Sequence, residues 1–418
     1  MKTPTAFLSR PWTDALVNRF INYAKIDTQS NRHSDETPST AGQWELARLL
    51  ERELRAIGIR EAELDDHCYL IARLPASQGY EKAPCIGLMA HMDTASDVSG
   101  SGVQPRIIRN YDGKKIQLSD NVALDPEEYP DLAEHAGDTI IVTDGSTLLG
   151  ADDKAGVAEI MTVLSHLAAN PSIPHGPIDV YFTPDEETGK GMDRFPLQKA
   201  KAVACYTLDG GRAPEIEAEC FNAVAIRAEF AGKSIHIGAA RGKLANAVSM
   251  AASLIAMLPR SESPEATDGW YGYYCPIEVK GSIDQAWVDI YLRDFSSERM
   301  QERIEAVKTF ARAVEAQFPG GKVSLAVTPQ YLNMKKKLDA HPDVLGKLEQ
   351  AIRASGFEPE MKPIRGGTDG SRLTEMGIPT PNLFTGGYNY HSRFEWASLA
   401  EMSLAVETIL NLVRIWAE

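Results

Sequence analysis

The chain has 418 residues, of which 43% are hydrophobic and 24% charged, a composition typical of a globular protein with two or three domains. Its net charge of −15, from 43 Lys and Arg against 58 Asp and Glu, argues against nucleic-acid binding, because neutralising phosphates requires a basic surface. Five scattered cysteines without a CxxC pair indicate a reducing compartment. No apolar run has the length of a signal peptide or a bilayer span. We therefore expect a cytoplasmic protein with no nucleic-acid or membrane partner. The composition does not indicate its oligomeric state.

The first half of the chain alternates between helix and strand patterns. Apolar residues at helical spacing predict two N-terminal helices, the second over about Thr40–Gly58. Short apolar runs typical of strands buried on both faces cover Cys85–Thr94, Ile178–Thr183 and Ala202–Asp209. An apolar stripe predicts a helix over Asp152–Ala169. The alternation predicts an α/β domain with a mainly parallel sheet and flanking helices, whereas residues 95–148 show no clear elements.

From about residue 216 the pattern changes to β-α-β-β-α-β, the ferredoxin-like arrangement. The predicted elements are Phe221–Phe230, Lys243–Leu258, Cys275–Gly281, Gln285–Arg293, Ser297–Phe318 and Lys322–Thr328. Helix and strand patterns resume from about residue 340. The sequence therefore predicts a catalytic domain in two parts, residues 1–212 and 329–418, with a small α+β domain inserted at residues 213–328.

Acidic side chains and histidines follow several of the predicted strands, and one histidine lies near the C-terminus. They are His91 and Asp93, Asp152 and Asp153, Asp185, Glu186 and Glu187, Asp209, and His391. Each taken alone has a simpler explanation, such as a helix cap, a turn or a hydrogen-bonded core histidine. Ligands in open α/β sheets bind beyond the carboxyl ends of the strands, so these side chains would meet in one crevice. Cations are needed to offset so much negative charge.

Two histidines and three carboxylates suit a divalent metal such as zinc, cobalt or manganese. Five ligands are too many for one tetrahedral zinc with an open position. They fit two ions about 3.5–4 Å apart that share a carboxylate and a water. Adjacent residues leaving a strand point to opposite sides. Of Glu186 and Glu187, one would therefore bind metal and the other would take a proton from the attacking water.

Motifs along nearly the whole chain resemble those of the M20 family of co-catalytic zinc peptidases. They are "DTQS", "PSTAGQWELA", "TLLGADDKAGVAEIMT", "IPHGPIDVYFTPDEETGKG", "YLRDF", "PIRGGTDG" and "PNLFTGGYNYH". The resemblance implies two divalent ions, zinc by family precedent, with Asp152 as the shared ligand. The implied ligands are His91, Asp152, Glu187, Asp209 and His391. It also implies that Glu186 is the general base and that Asp93 orients His91.

The same resemblance makes the inserted domain a lid, with hinge segments near Gly211 and Pro329. His236 would stabilise the oxyanion, although Ile237 follows it where the family usually has proline. The residues implied to hold the peptide backbone and its carboxylate end are Asn246, Arg293 and Arg365. For Arg293, an ion pair with Asp294 or another neighbour is an equal alternative.

The implied activity is that of a metal-dependent aminopeptidase that releases the N-terminal residue of small peptides, in particular tripeptides. Dipeptidases, carboxypeptidases and N-acyl-amino-acid deacylases of the same family share the metal ligands, so the metal motifs do not separate them. A peptide-binding module without catalysis is a different class of function, and the intact pair Glu186 and Glu187 argues against it. Metal storage would give no reason for a lid.

Overall fold

The computed structural model of the chain describes residues 3–418. Its α-helices are α1 Thr13–Ala24, α2 Gly42–Ala56, α3 Pro130–Ala133, α4 Ala151–Ala169, α5 Ala247–Met257, α6 Ser297–Gln317, α7 Lys335–Leu338, α8 Pro342–Ser355, α9 Asp369–Glu375 and α10 Leu399–Ala417. Its strands are β1 Glu61–Leu64, β2 Leu70–Leu74, β3 Ile86–His91, β4 Arg106–Ile108, β5 Ile116–Ser119, β6 Val122–Leu124, β7 Ile140–Val142, β8 Ile178–Thr183, β9 Ala204–Gly210, β10 Glu215–Cys220, β11 Asn222–Ala231, β12 Tyr273–Gly281, β13 Gln285–Asp294, β14 Lys322–Tyr331, β15 Glu360–Ile364, β16 Asn382–Phe384, β17 Gly387–Tyr388 and β18 Trp396–Ser398.

The contacts divide the chain into two units. The first contains the described residues up to Ala218 together with Lys336–Lys362 and Thr368–Glu418. The second contains Glu219–Lys335 and Pro363–Gly367. The predicted functional domains, with boundaries after residues 212 and 328, stay a prediction.

An eight-stranded sheet forms the centre of the first unit, with the strand order β1-β2-β8-β3-β9-β16-β10-β15. The neighbours β8, β3, β9 and β16 run parallel, while β2 and β10 join them antiparallel. Every residue of β3 and β8 is buried, as expected for parallel strands covered on both faces. The predicted fold class, α/β with a mainly parallel sheet, is confirmed.

Helix α4 packs against β3 and β9 on one side and against α1 and α10 on the other. This position explains why α4 is apolar over most of its surface. A methyl group on Gly156 would lie 1.9 Å from the carbonyl oxygen of Leu208, so a glycine is needed where α4 approaches β9. The close approach brings the start of α4 next to the carboxyl ends of β3 and β9.

The segment that gave no clear pattern contains short strands in two small sheets. One has the order β17-β18-β7-β4, and the other is the hairpin β5-β6. Trp396 in β18 is fully buried and stacks on Tyr388, with ring centroids 4.0 Å apart. Strands of three or four residues are too short to show a period in the sequence, so the pattern of residues 95–148 predicts no strands there.

The second unit is a four-stranded antiparallel sheet in the order β12-β13-β11-β14, with helices α5 and α6 against it. The elements follow one another as β-α-β-β-α-β, as the sequence predicted. Helix α5 begins at Ala247 rather than at Lys243, because Asn246 caps it by accepting hydrogen bonds from the backbone N–H of Val248 and Ser249. Across residues 3–418, no helix is long and apolar enough to cross a bilayer.

Candidate metal centre

The site lies at the carboxyl ends of the parallel strands in the first unit. Strand β3 ends at His91, which pairs in register with Thr183, the last residue of β8. The next strand, β9, carries Asp209 near its end. Because these strands run in the same direction, their final side chains meet at one edge of the sheet.

The structure brings the five predicted ligands together in two groups that share one residue. The first group is His91, Asp152 and Asp209, and the second is Asp152, Glu187 and His391, with potential ligand atoms within 4.8 Å of one another in each group. Asp152 Oδ1 lies 2.9 Å from His91 Nε2, while Asp152 Oδ2 lies 3.3 Å from His391 Nε2. The two oxygens of Asp152 therefore face different groups, which is the arrangement that a bridging carboxylate requires.

Three adjacent carboxylates after β8 have three different environments. Asp185 is fully buried and accepts hydrogen bonds from the backbone N–H of Ser39 at 2.8 Å and from Gln43 Nε2 at 2.7 Å. It therefore ties this loop to the start of α2. Glu187 lies 3.0 Å from His391 Nε2. Among residues 3–418, Glu186 joins neither group of candidate ligands.

Asp93 connects His91 to the acidic loop, residues 185–187. Its two carboxylate oxygens accept hydrogen bonds from the backbone N–H of Glu186 at 3.0 Å and of Glu187 at 3.2 Å. His91 Nδ1 lies 3.3 Å from Asp93 Oδ1 and 3.1 Å from the Asp93 carbonyl oxygen. Asp93 therefore fixes the orientation of the imidazole and the path of the loop at the same time.

Burial and crowding shift the pKa values of the carboxylic acids. Burial raises the pKa of Asp209 to about 6 and that of Glu187 to about 8, and the charge of Asp152 adds to both shifts. Burial also raises the pKa of Glu186 well above its usual range. By contrast, hydrogen bonds with His391 and His91 outweigh the effect of burial on Asp152 and bring its pKa well below the usual range.

The two histidines show the complementary effect. Burial alone would lower the pKa of His91, but the charge of Asp209 and hydrogen bonds to carboxylates raise it. Hydrogen bonds to Asp152 and Glu187 raise the pKa of His391 to about 11. Divalent cations would offset the negative charge of the carboxylates in both groups. The nitrogen and oxygen donors are those that such ions prefer, so the residues fit a two-ion site.

Two buried carboxylates outside the predicted ligand set support the centre. Asp153 Oδ2 accepts a hydrogen bond from the backbone N–H of His91 at 3.1 Å. Glu395 Oε1 accepts one from the backbone N–H of Asp152 at 3.2 Å. Asp153 follows a candidate ligand directly, and Glu395 lies four residues after His391, but neither fact by itself reveals such contacts.

Arg365, predicted to bind substrate, makes a structural network inside the second unit. Its guanidinium donates hydrogen bonds to the carbonyl oxygens of Thr267 at 3.1 Å, Gly269 at 2.9 Å and Tyr271 at 2.8 Å. Three contacts from one planar group therefore stabilise this loop. Any role with substrate would be added to this structural one.

Arg293 is buried between aromatic rings, with its guanidinium 4.9 Å from the ring centroid of Tyr291 and 5.5 Å from that of Tyr331. Its Nη1 donates to the carbonyl oxygen of Leu292. The carboxylate of Asp294, one of the ion-pair partners considered for Arg293, lies 2.8 Å from Arg303 Nε.

His236 and Asn246, the other two predicted substrate residues, each precede a helical segment in the second unit. His236 comes before a 3-10 turn, Ile237–Ala239, and Asn246 comes before α5. Asn246 is the cap of α5. His236 is exposed, and its Nδ1 accepts a hydrogen bond from the backbone N–H of Gly238 at 3.2 Å. A ring that accepts at Nδ1 carries its proton on Nε2.

Comparisons with known proteins agree with these features. Residues 141–415 match the model of peptidase family M20/M25/M40. Peptidase T from Clostridium perfringens is 44% identical over 400 residues, which cover 96% of this chain and 98% of the relative. Peptidase T from Listeria welshimeri is 44% identical over 407 residues, which cover 97% and 99%.

Among solved structures, aminopeptidase PepT from Bacillus cereus has the same fold, with a TM-score of 0.76 at 24% identity, covering 97% of this chain and 99% of that one. These matches confirm the predicted resemblance and the predicted class of enzyme, a hydrolase of the metallo-aminopeptidase kind. The chain belongs to peptidase family M20/M25/M40.

Proposed function

We propose that this chain is a metal-dependent aminopeptidase that releases the N-terminal residue from tripeptides. The relatives named peptidase T, at 44% identity over nearly the whole chain, support this activity. Small peptides are then its substrates. The observation that carries the proposal is the division of the Asp152 carboxylate between two groups of candidate ligands.

In this proposal, His91 and Asp209 would hold one divalent ion, Glu187 and His391 would hold the other, and Asp152 would contribute to both. Zinc is the proposed metal. When bound, such ions polarise the scissile carbonyl and make water a stronger nucleophile at neutral pH. Asp93 fixes the position of His91 relative to the acidic loop. The donor atoms would therefore need little rearrangement to bind metal.

Glu186 is the proposed general base. It takes a proton from the attacking water and passes it to the amine that leaves when the peptide bond breaks. Three features support this role. The side chain is not part of either ligand group, and its backbone N–H is fixed by Asp93. Burial also raises the pKa of Glu186 above its usual range, so this carboxylate holds a proton more tightly than an exposed glutamate does.

For the second unit, the resemblance supports a part in substrate binding. His236 would stabilise the oxyanion, and Asn246, Arg293 and Arg365 would hold the peptide. We propose that the lid consists of residues 213–328 and that it moves about segments near Gly211 and Pro329. The structural contacts of Arg365 and Asn246 mean that their substitution affects stability as well as binding.

The experiment that tests this function is hydrolysis of one tripeptide in a free and an N-acetylated form, with the dipeptide and tetrapeptide as length controls. We expect cleavage of the free tripeptide only. A chelator should abolish cleavage, and added zinc, cobalt or manganese should restore it. Preference for the acetylated peptide would instead indicate the deacylase alternative, and release of the C-terminal residue would indicate a carboxypeptidase.

A further inference from the structure

A single distant carboxylate holds the loop that presents Asp152. Glu395 is 2% exposed and lies far from this loop in the sequence. Its Oε2 accepts hydrogen bonds from the backbone N–H of Leu149 at 2.6 Å and of Gly150 at 2.8 Å, and its Oε1 accepts one from Asp152 at 3.2 Å. Three converging N–H groups form a concave site for an anion, and the side chain of Glu395 fills it.

The strand pairing places Glu395 there. Strand β18 pairs antiparallel with β7, and Trp396 lies opposite Val142. Glu395 directly precedes β18, and the chain that leaves β7 after Val142 leads to Leu149 and the start of α4. The register between these two strands therefore sets the position of the carboxylate beside the loop.

Glu395 also supplies acceptors that the approach to α4 lacks. Gly150 has no side chain to accept a hydrogen bond, and Asp152 and Asp153 have non-helical backbone angles. The backbone N–H groups of this stretch therefore need acceptors other than those of a regular helix, and Glu395 provides them. Its segment also carries His391, four residues earlier.

Asp152 is consequently held at two points. Its carboxylate faces His91 and His391, while its backbone N–H is fixed by Glu395. We infer that Glu395 is a positioning residue that keeps Asp152 between the two ligand groups and thereby sets the affinity of the centre for its second metal ion. This inference rests on the proposed function, because it takes the two groups as metal sites.

A carboxylate suits this position better than its amide analogue. Both oxygens of Glu395 accept hydrogen bonds, Oε2 from two donors and Oε1 from the third. In Glu395→Gln, one of these oxygens becomes an NH2 group that faces a backbone N–H. At least one donor then loses its partner, and an unpaired buried donor is costly.

The test is a Co2+ titration of the metal-free protein, comparing wild type, Glu395→Gln and Glu159→Gln. Glu159 is a matched control, because it is a fully buried acid in α4 whose two oxygens have no hydrogen-bond partner within residues 3–418. We expect two bound ions in the wild type and in Glu159→Gln. In Glu395→Gln the weaker ion should bind about 10- to 100-fold less tightly, with a changed Co2+ absorption spectrum.

The outcomes separate the inference from the proposed function. If wild type itself does not bind two ions, the proposed function fails. If wild type binds two ions and Glu395→Gln binds them with the same affinities and the same spectrum, the positioning role is overturned. Circular dichroism of each variant checks folding. Should Glu395→Gln not fold, Glu395→Asp keeps the charge but is too short to reach all three donors. Failure of both variants to fold would assign Glu395 to the fold as a whole and overturn the inference.

Discussion

The metal centre and the second unit use polar side chains in opposite ways. In the centre, carboxylates and histidines face one another. Burial raises the pKa of Glu187 to about 8, while hydrogen bonds to Asp152 and Glu187 raise that of His391 to about 11. In the second unit, Arg365 donates to three carbonyl oxygens of its own loop and Asn246 caps a helix. The first set of side chains needs an added partner, whereas the second set already has one.

This difference affects how far a resemblance extends to single residues. A cluster of like charges in a buried crevice is costly to fold, so its presence indicates a ligand. A residue that already stabilises its own unit gives no such indication, and its role in binding has to be separated from its role in stability. Variants that affect catalysis, metal binding and stability differently separate the two.

Replacement of Glu186 by Gln should lower kcat for a free tripeptide by about 100- to 10,000-fold, because a general base contributes that much. Both metal ions should stay bound, since Glu186 belongs to neither ligand group. Steady-state kinetics and metal analysis measure the two effects, with Glu159→Gln as the control for loss of a buried acid. Turnover close to that of the wild type would show that Glu186 is not the base.

Replacement of Asp93 by Ala should lower kcat by about 10- to 100-fold, because the residue orients a ligand and the acidic loop without binding metal itself. Its effect should be smaller than that of Asp152→Ala, which removes the shared ligand. Kinetics of both variants at saturating zinc provide the measurement. An equal or larger effect for Asp93→Ala would mean that Asp93 acts directly on metal or substrate.

A pair of variants separates the two roles of Asn246. Asn246→Ala should lower the free energy of unfolding by about 1 kcal/mol, because a helix cap is lost. Asn246→Asp keeps an acceptor oxygen for the N–H groups of Val248 and Ser249 but has no amide donors. If the amide also binds peptide, Asn246→Asp should keep its stability and raise KM. Denaturant unfolding measures the stability of each variant, and steady-state kinetics measure KM. An unchanged KM in Asn246→Asp would show that Asn246 acts only as the helix cap.

The smallest effect concerns a pair in the first unit that needs no metal. His135 Nε2 lies 3.1 Å from Glu401 Oε1, and the hydroxyl of Tyr388 donates to Glu401 Oε2 at 2.9 Å. Burial alone would lower the pKa of His135, but the hydrogen bond and charge of Glu401 raise it, with smaller contributions from Asp131 and Asp138. The folded protein therefore binds the proton more tightly than the unfolded chain does.

This stabilisation is complete below the unfolded pKa of about 6.5 and is lost as the pH rises through the higher folded pKa. His135→Gln should therefore cost more stability at about pH 6 than at about pH 9. Thermal unfolding of the metal-free proteins at both pH values measures this difference. An equal cost at both would show that His135 is neutral in the folded protein.

Much of the centre could be predicted because it follows from strand direction. His91 and Asp209 come from parallel strands that end at one edge, and the acidic loop with Glu187 follows a third. The roles of Asp153 and Glu395 could not be predicted in this way. Their contacts depend on where α4 begins and on the register of β18 against β7, and a single sequence contains no periodic signal for either.

The fold shows the same limit. Long buried strands and apolar stripes predicted the main sheet and the β-α-β-β-α-β order of the second unit. The three-residue strand β7 and its neighbour β4 have no such pattern. The apolar stripe also predicts the start of α5 four residues too early. The cap at Asn246, rather than the stripe, determines where the helix begins.

The most direct test of the two-ion centre is an anomalous difference map from crystals of the protein grown with zinc. We expect two peaks in the first unit, one contacted by His91 and Asp209 and the other by Glu187 and His391, with Asp152 contacting both. A single peak, or two peaks of which Asp152 contacts only one, would contradict this expectation.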